Sequence, residues 1–411
     1  MKYILIIGDG MADNPLDELG GKTPLQYAKT PTIDSLAQRG ILGTARTIPA
    51  GQVAGSDTAM LAIFGADPAI YNKGRAPLEA AAVGIAVAPG SAAYRCNMVT
   101  LEDCALPFAE KKILSHSGGD IEGDDSIALI EALLADAGFA AQAKAAGLVI
   151  HPAPSFRHIA VQTNADLGGV ILSPPHDHLD EVIAPILPSG NRNAAAICAL
   201  MELAHSILDP HPINRARRKA GLLPANGIWF WAEGIASELP QFEASFGQRG
   251  GVISAVPLCH GIAALTGLVP ISVEGATGKL HTNYEGKVNA AVNSLQTNGD
   301  FVTIHVEAPD ECTHNGDLPG KIQAIEWIDS RVLKYLLQRL DEENLHEYRI
   351  LILSDHKTLM ATRGHDPDPI PFLLYDSTNL QTHKHTYCES DAETGIHLSS
   401  GTMLMPLLFN L

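Results

Sequence analysis

Short, almost unbroken apolar runs near both ends of the chain constrain its fold most. Residues 3–7, 301–306 and 349–354 each read as a strand with no clear polar face. Such strands are buried only in a sheet covered on both sides. Further strands are expected at 41–46, 251–256 and 369–374, with helices at 32–38, 56–64, 284–296 and 321–344. In the last of these, Ile322, Ile325, Ile328, Val332, Leu336 and Leu340 keep a three- and four-residue rhythm. Strands alternating with helices predict an α/β fold, a mainly parallel core sheet flanked by helices.

The middle of the chain reads differently. It offers strands at 92–101, 147–151 and 157–163, and helices at 125–145 and 191–208. Proline-rich joints fall at Ser173-Pro174-Pro175-His176 and Asp209-Pro210-His211-Pro212. The expectation is an inserted smaller α/β domain at 89–223, with 1–88 and 224–411 closing into one core domain.

Charge narrows the partners. Across 411 residues, 46 acidic side chains stand against 28 basic ones, a formal net charge of −18. A broad polyanion-binding surface is thereby excluded, and neither a nucleic acid nor a membrane is expected as a partner. None of the six cysteines forms a C-x-x-C pair, so neither a disulfide framework nor a thiolate zinc cage is indicated. The apolar run before Gly8 is too short for a signal-peptide core, and no stretch approaches the ~20 apolar residues of a membrane span. A cytoplasmic protein is expected.

Metal-type ligands stand at the ends of the predicted strands. Asp9 follows the first, between Gly8 and Gly10, which leave room beside its carboxylate. Asp310 and His314 stand four apart after residues 301–306, a spacing that shares one face of a helical turn. Asp355 and His356 follow 349–354 directly, and His365 lies nine residues beyond. Singly, each has a bland reading as a turn aspartate, a capping residue or a surface histidine. Together they supply three carboxylates and three imidazoles at strand ends, where α/β sheets bind ligands. Ser56, in Gly55-Ser56-Asp57-Thr58, sits at a helix start that suits either an N-cap or a phosphoserine.

The order Asp9, Ser56, Asp310-x-x-x-His314, Asp355-His356, His365 resembles the alkaline phosphatase superfamily. Within it, the chain resembles the cofactor-independent phosphoglycerate mutases of the archaeal type. The resemblance runs nearly end to end through Ile7-Gly8-Asp9-Gly10-Met11, Gly20-Gly21-Lys22-Thr23-Pro24, Gly51-Gln52-Val53-Ala54-Gly55-Ser56-Asp57, Arg95-Cys96-Asn97, Glu274-Gly275-Ala276-Thr277-Gly278 and Thr282-Asn283-Tyr284. It implies an alkaline-phosphatase-like core and an insert that closes over substrate. It also implies two divalent ions, manganese first, with cobalt, zinc or magnesium as alternatives, and no bisphosphoglycerate. Asp9, Ser56, Asp355 and His356 would hold one ion; Asp310, His314 and His365 would hold the other. Ser56 would carry the phosphoryl group between the hydroxyls of 3- and 2-phosphoglycerate, a small anionic substrate.

Arg95 and Arg157, with Arg192 and Arg215 behind them, are the candidates to bind its anionic groups. Gly74-Arg75-Ala76-Pro77-Leu78-Glu79-Ala80 is closer to a bacterial subgroup that includes proposed homoserine kinases, which sets a kinase-like phosphotransferase as the alternative. A non-catalytic metal-binding scaffold is the third reading. Two His-x-His pairs, His176 with His178 and His383 with His385, are expected in exposed loops.

Overall fold

The structure is a computed structural model that describes residues 1–379, 382 and 384–410; His383 lies outside them. The first apolar run becomes β1 (Lys2–Gly8), in which Ile4, Leu5, Ile6 and Ile7 are fully buried. After β2 (Ile41–Ala45) come β3 (Ala92–Leu101), β4 (Ile113–Ser115), β5 (Leu148–His151), β6 (Arg157–Gln162) and β7 (Gly227–Ile235). The chain continues through β8 (Gly250–Ile253), β9 (Val269–Ile271), β10 (Phe301–Val306) and β11 (Tyr348–Leu353). It ends with β12 (Lys357–Leu359), β13 (Gly364–Asp366), β14 (Ile370–Asp376) and β15 (Ile396–Leu398).

Two units share these strands. The first comprises Met1–Asn72, Ala81–Val83 and Glu238–Leu411; the second comprises Lys73–Ala80 and Gly84–Ser237. In the first, eight strands follow the order β15-β2-β14-β11-β1-β10-β8-β9. β1 pairs in parallel with both β10 and β11, placing Ile7 level with His305 and Leu353. Their C-terminal ends therefore open on one edge, where the next residues of all three segments converge. β14 alone runs antiparallel to both of its neighbours.

In the second unit, β3 pairs antiparallel with β4, β6 and β7, and β5 pairs antiparallel with β6. β7 lies beyond residue 223, where the sequence expectation ended the insert, yet its GIWFWAEGI run pairs along β3 from Ala92 to Val99. The unit accordingly continues to Ser237. Its core gathers Tyr94, Met98, Leu129, Leu133, Phe139, Leu200 and Phe230.

Two expected helices are interrupted. The segment 125–145 is two helices, Asp124–Ala135 and Ala137–Ala145, bent by 78°. Asp136 sits extended between them and its carboxylate caps the second by accepting Phe139 N–H at 2.9 Å. The segment 321–344 is split by a π-helical turn, Ile328–Leu333, between Leu318–Trp327 and Lys334–Glu342. That turn carries the buried Asp329, whose carboxylate accepts Ile33 N–H at 2.7 Å at the start of the helix Pro31–Ala37. Among the described residues no single helix is long and apolar enough to cross a membrane.

Candidate active site

The convergent edge of the first unit collects all seven metal-type positions. Asp9 follows β1, Asp355 and His356 follow β11, and His365 is carried by the β12–β13 hairpin. Asp310 and His314 share the short helix Ala308–His314, where Pro309 stands in the first turn and needs no N–H partner. Ser56 opens the helix Ser56–Ile63. Gly55, not Ser56, is its N-cap, so the serine hydroxyl is free of capping duty. It lies 3.2 Å from His356 Nε2.

Two ligand groups result. Atoms of Asp9, Asp355 and His356, all buried, lie within 4.8 Å of one another; so do atoms of Asp310, His356 and His365, at the more exposed end. His314 Nε2 joins the second group, 3.1 Å from Asp310 Oδ2 and 3.0 Å from His365 Nε2. His356 Nε2 stands 3.3 Å from Asp355 Oδ2 and 3.7 Å from Asp9 Oδ1, so it faces the first group directly.

The donor chemistry fits divalent cations. Asp9 Oδ1 and Asp355 Oδ2 are buried without any hydrogen-bond partner, an omission that costs about 1–3 kcal/mol per group unless a cation meets them. Each imidazole is held by its other nitrogen. His314 Nδ1–H donates to Arg363 O at 2.8 Å, and His365 Nδ1–H to Ala54 O at 3.3 Å. His356 Nδ1–H points at Thr358 Oγ1, 3.1 Å away. All three rings thus present Nε2, the tautomer that metal-bound histidines adopt when a neighbour holds the other N–H. Imidazole with carboxylate suits manganese or zinc better than a soft thiolate metal.

The crowded carboxylates press on one another accordingly. Burial, then the Asp355 and Asp310 carboxylates, hold the Asp9 carboxyl well above its ordinary range, against the pull of His305. Burial opposes ionisation of Asp310, but hydrogen bonds from His314 and His365 overcome it and hold that carboxyl low. The hydrogen bond to Asp310 raises His314 to about 9. Burial keeps His356 below the usual histidine range.

Gly10 is required at its place. Its φ is +58°, and its N–H donates to Asp355 Oδ1 at 3.1 Å. A Cβ there would collide with Thr358 Oγ1 and come within 2.7 Å of Asp310 Oδ1.

The arginines lie in the second unit. Arg95, on β3, forks onto Glu79, with Nε donating to Oε2 at 2.7 Å and Nη2 pairing with Oε1, and its guanidinium sits 4.6 Å over the Trp231 ring. Arg157, on β6, is 5.8 Å from the same ring and 5.3 Å from Phe156, and its Nε is buried without a partner. His176 is exposed, as expected, with its ring 5.1 Å from Trp231 and 6.0 Å from His116. Its neighbour His178 pairs with Glu181 at 2.9 Å. Arg192 and Arg215 are exposed on the helices Arg192–Leu208 and Pro212–Lys219 and take no part in the Trp231 cluster.

Sequence reading missed the layer behind the ligands. Thr358 Oγ1 donates to Asp310 Oδ1 at 2.6 Å, and His305, Glu307 and Lys287 form a buried chain behind Asp9. A histidine inside the apolar 301–306 run was the visible signal. Lys287, on a helix, gave none.

The whole chain, residues 1–411, matches the Metalloenzyme superfamily. A 2,3-bisphosphoglycerate-independent phosphoglycerate mutase of Methanosarcina acetivorans is 43% identical over 376 residues, 91% of this chain and 90% of that protein. A solved structure from Pyrococcus horikoshii matches with a TM-score of 0.78 at 30% identity, over 100% of this chain and 97% of that one. A cofactor-independent phosphoglycerate mutase from Thermoplasma acidophilum gives 0.67 at 26% identity, over 100% and 99%. The match over the full chain makes this a member of the Metalloenzyme superfamily. Within that class the chain belongs to the 2,3-bisphosphoglycerate-independent phosphoglycerate mutase family. Both named relatives are mutases, and nothing favours the homoserine kinase alternative.

Proposed function

We propose that this chain interconverts 3-phosphoglycerate and 2-phosphoglycerate through a phosphoserine at Ser56, with two divalent ions and no bisphosphoglycerate. The observation that carries this reading is a serine hydroxyl free of capping, 3.2 Å from an imidazole that faces two unpartnered carboxylate oxygens. Asp9, Ser56, Asp355 and His356 would hold one ion, and Asp310, His314 and His365 the other; manganese is favoured over cobalt, zinc or magnesium. Bound there, such ions would lower the hydroxyl pKa and stabilise charge on the phosphoryl oxygens.

Ser56 Oγ attacks phosphorus, the bond from phosphorus to the glycerate oxygen breaks, and the serine proton is balanced by one gained at that oxygen. The second glycerate hydroxyl then attacks the phosphoserine, and Ser56 is restored. Amide groups at the start of the helix Ser56–Ile63 favour the added negative charge. Arg157, whose Nε lacks a partner, takes an anionic end of the substrate, while Glu79 holds Arg95 in its fork. A cytoplasmic, glycolytic role goes with this reaction.

Phosphorus NMR of 3-phosphoglycerate with the manganese-loaded protein tests the reading. Appearance of 2-phosphoglycerate is expected. No conversion with Mn²⁺, Co²⁺, Zn²⁺ or Mg²⁺ would contradict it.

A further inference from the structure

Two lysines that are fully buried, Lys287 and Lys321, stand behind the two ligand groups in matching ways. Lys321 Nζ donates to Asp13 Oδ2 at 2.8 Å and to Thr358 O at 2.6 Å, and Thr358 in turn holds Asp310. Lys287 Nζ donates to Glu307 Oε2 at 2.6 Å and to His305 O at 2.7 Å. Glu307 Oε1 also accepts Ser254 Oγ–H at 2.9 Å and Ala255 N–H at 2.6 Å. The His305 ring is caught between this group and Asp9. Its Nδ1 lies 2.9 Å from Ser254 Oγ and 3.3 Å from Glu307 Oε1. Its Nε2 makes no hydrogen bond of its own and stands 3.2 Å from Asp9 Oδ2 in an ion-pair contact.

We propose that His305, clamped from behind by Ser254, Glu307 and Lys287, is a positioning residue that holds Asp9 Oδ2 and leaves Oδ1 to a divalent ion. The inference rests on the reading of Asp9, Asp355 and His356 as a metal centre. One carboxylate oxygen meets His305 while the other is buried and bare, which makes Asp9 a one-oxygen ligand of fixed orientation. The clamp is stiff because His305 and Ile7 are register partners on adjacent parallel strands, two residues before Asp9. A second layer of this kind sets ligand geometry and affinity without touching the ion. The Lys321 brace serves the other group, so loss of His305 acts on one ion only.

Titration of Mn²⁺ into the metal-free full-length chain by calorimetry, with pulsed EPR of the bound ions, tests this. Wild type is expected to take two equivalents. His305→Leu is expected to weaken one of them about 10- to 100-fold and spare the other. His305→Gln, which keeps an N–H able to reach Asp9, is expected to restore most of the loss and to leave the nitrogen couplings of bound Mn²⁺ unchanged.

Two unchanged equivalents in His305→Leu, or two weakened equally, would overturn the proposal. Loss of one nitrogen coupling in His305→Gln would make His305 a ligand and also overturn it. If His305→Leu fails to fold, Ser254→Ala decides: one weakened equivalent supports the clamp and two unchanged ones refute it. A wild type that takes up no Mn²⁺ would remove the metal centre itself, a failure distinct from normal uptake by the variants.

Discussion

His314 and His365 face each other Nε2 to Nε2 at 3.0 Å, while each ring spends its Nδ1–H on a backbone carbonyl. Two bare lone pairs at that distance repel unless a proton or a cation lies between them. Asp310, 3.1 Å from His314 Nε2, raises His314 to about 9, so the ion-free pair holds a proton at neutral pH. A metal entering the group must displace it. Mn²⁺ affinity at this group is therefore expected to rise with pH up to about 9, with about one proton released per ion bound. Calorimetry at about pH 7.5 in buffers of different ionisation enthalpy measures the release; none would contradict the assignment.

Gly10→Ala is expected to damage the site more than its size suggests. The residue is left-handed, at φ +58°, and the added methyl meets Thr358 and Asp310. We expect a stability loss of about 1–3 kcal/mol in urea unfolding, together with weaker metal uptake. Wild-type values in both would show that neither the conformation nor the close approach matters.

Acid should destabilise the second unit through His158. Its Nδ1 accepts Ala153 N–H at 3.0 Å, and burial pulls its pKa down to about 4. The folded value lies below the unfolded ~6.5, so the unfolded chain binds the proton first and stability falls as pH drops from ~6.5 towards 4. The full effect is about 3 kcal/mol. Urea unfolding at about pH 7 and about pH 4.5 should show a smaller acid loss in His158→Asn, which keeps the acceptor without the basic nitrogen. An identical loss would contradict this.

Arg157→Ala is expected to raise KM about tenfold or more, because its buried Nε, without a hydrogen-bond partner among the described residues, is available to a substrate anion. Arg192→Ala, at an exposed position outside the Trp231 cluster, should leave KM near wild type. Steady-state kinetics with 3-phosphoglycerate separates the two; equal effects would contradict the ranking.

Asp9, Asp310 and Asp355 were legible as candidates because each comes after an apolar strand, so that strand order alone brings them to one edge. The residues that orient them were not. Nothing in the sequence sets Lys287 and Lys321 apart from other helix lysines, and only tertiary packing shows them buried against Glu307 and Asp13. The break at Ile328–Leu333 was hidden because the spacing Ile328, Val332, Leu336 continues through a π turn as it would through an α-helix. β7 fell outside the expected insert because its partner is β3, with Ala92 opposite Ile235 and Val99 opposite Gly227. A pairing between strands so far apart along the chain leaves no mark on local periodicity.

The central claim is that Ser56 carries the phosphoryl group. Intact-mass analysis of the manganese-loaded chain, quenched during exposure to 3-phosphoglycerate, tests it most directly. Wild type should gain the mass of one phosphoryl group, mapped to the peptide containing Ser56. Ser56→Ala should gain none and should lose at least about a thousandfold in turnover. Phosphoryl transfer that persists in Ser56→Ala, or turnover in wild type with the label on another residue, would contradict the account.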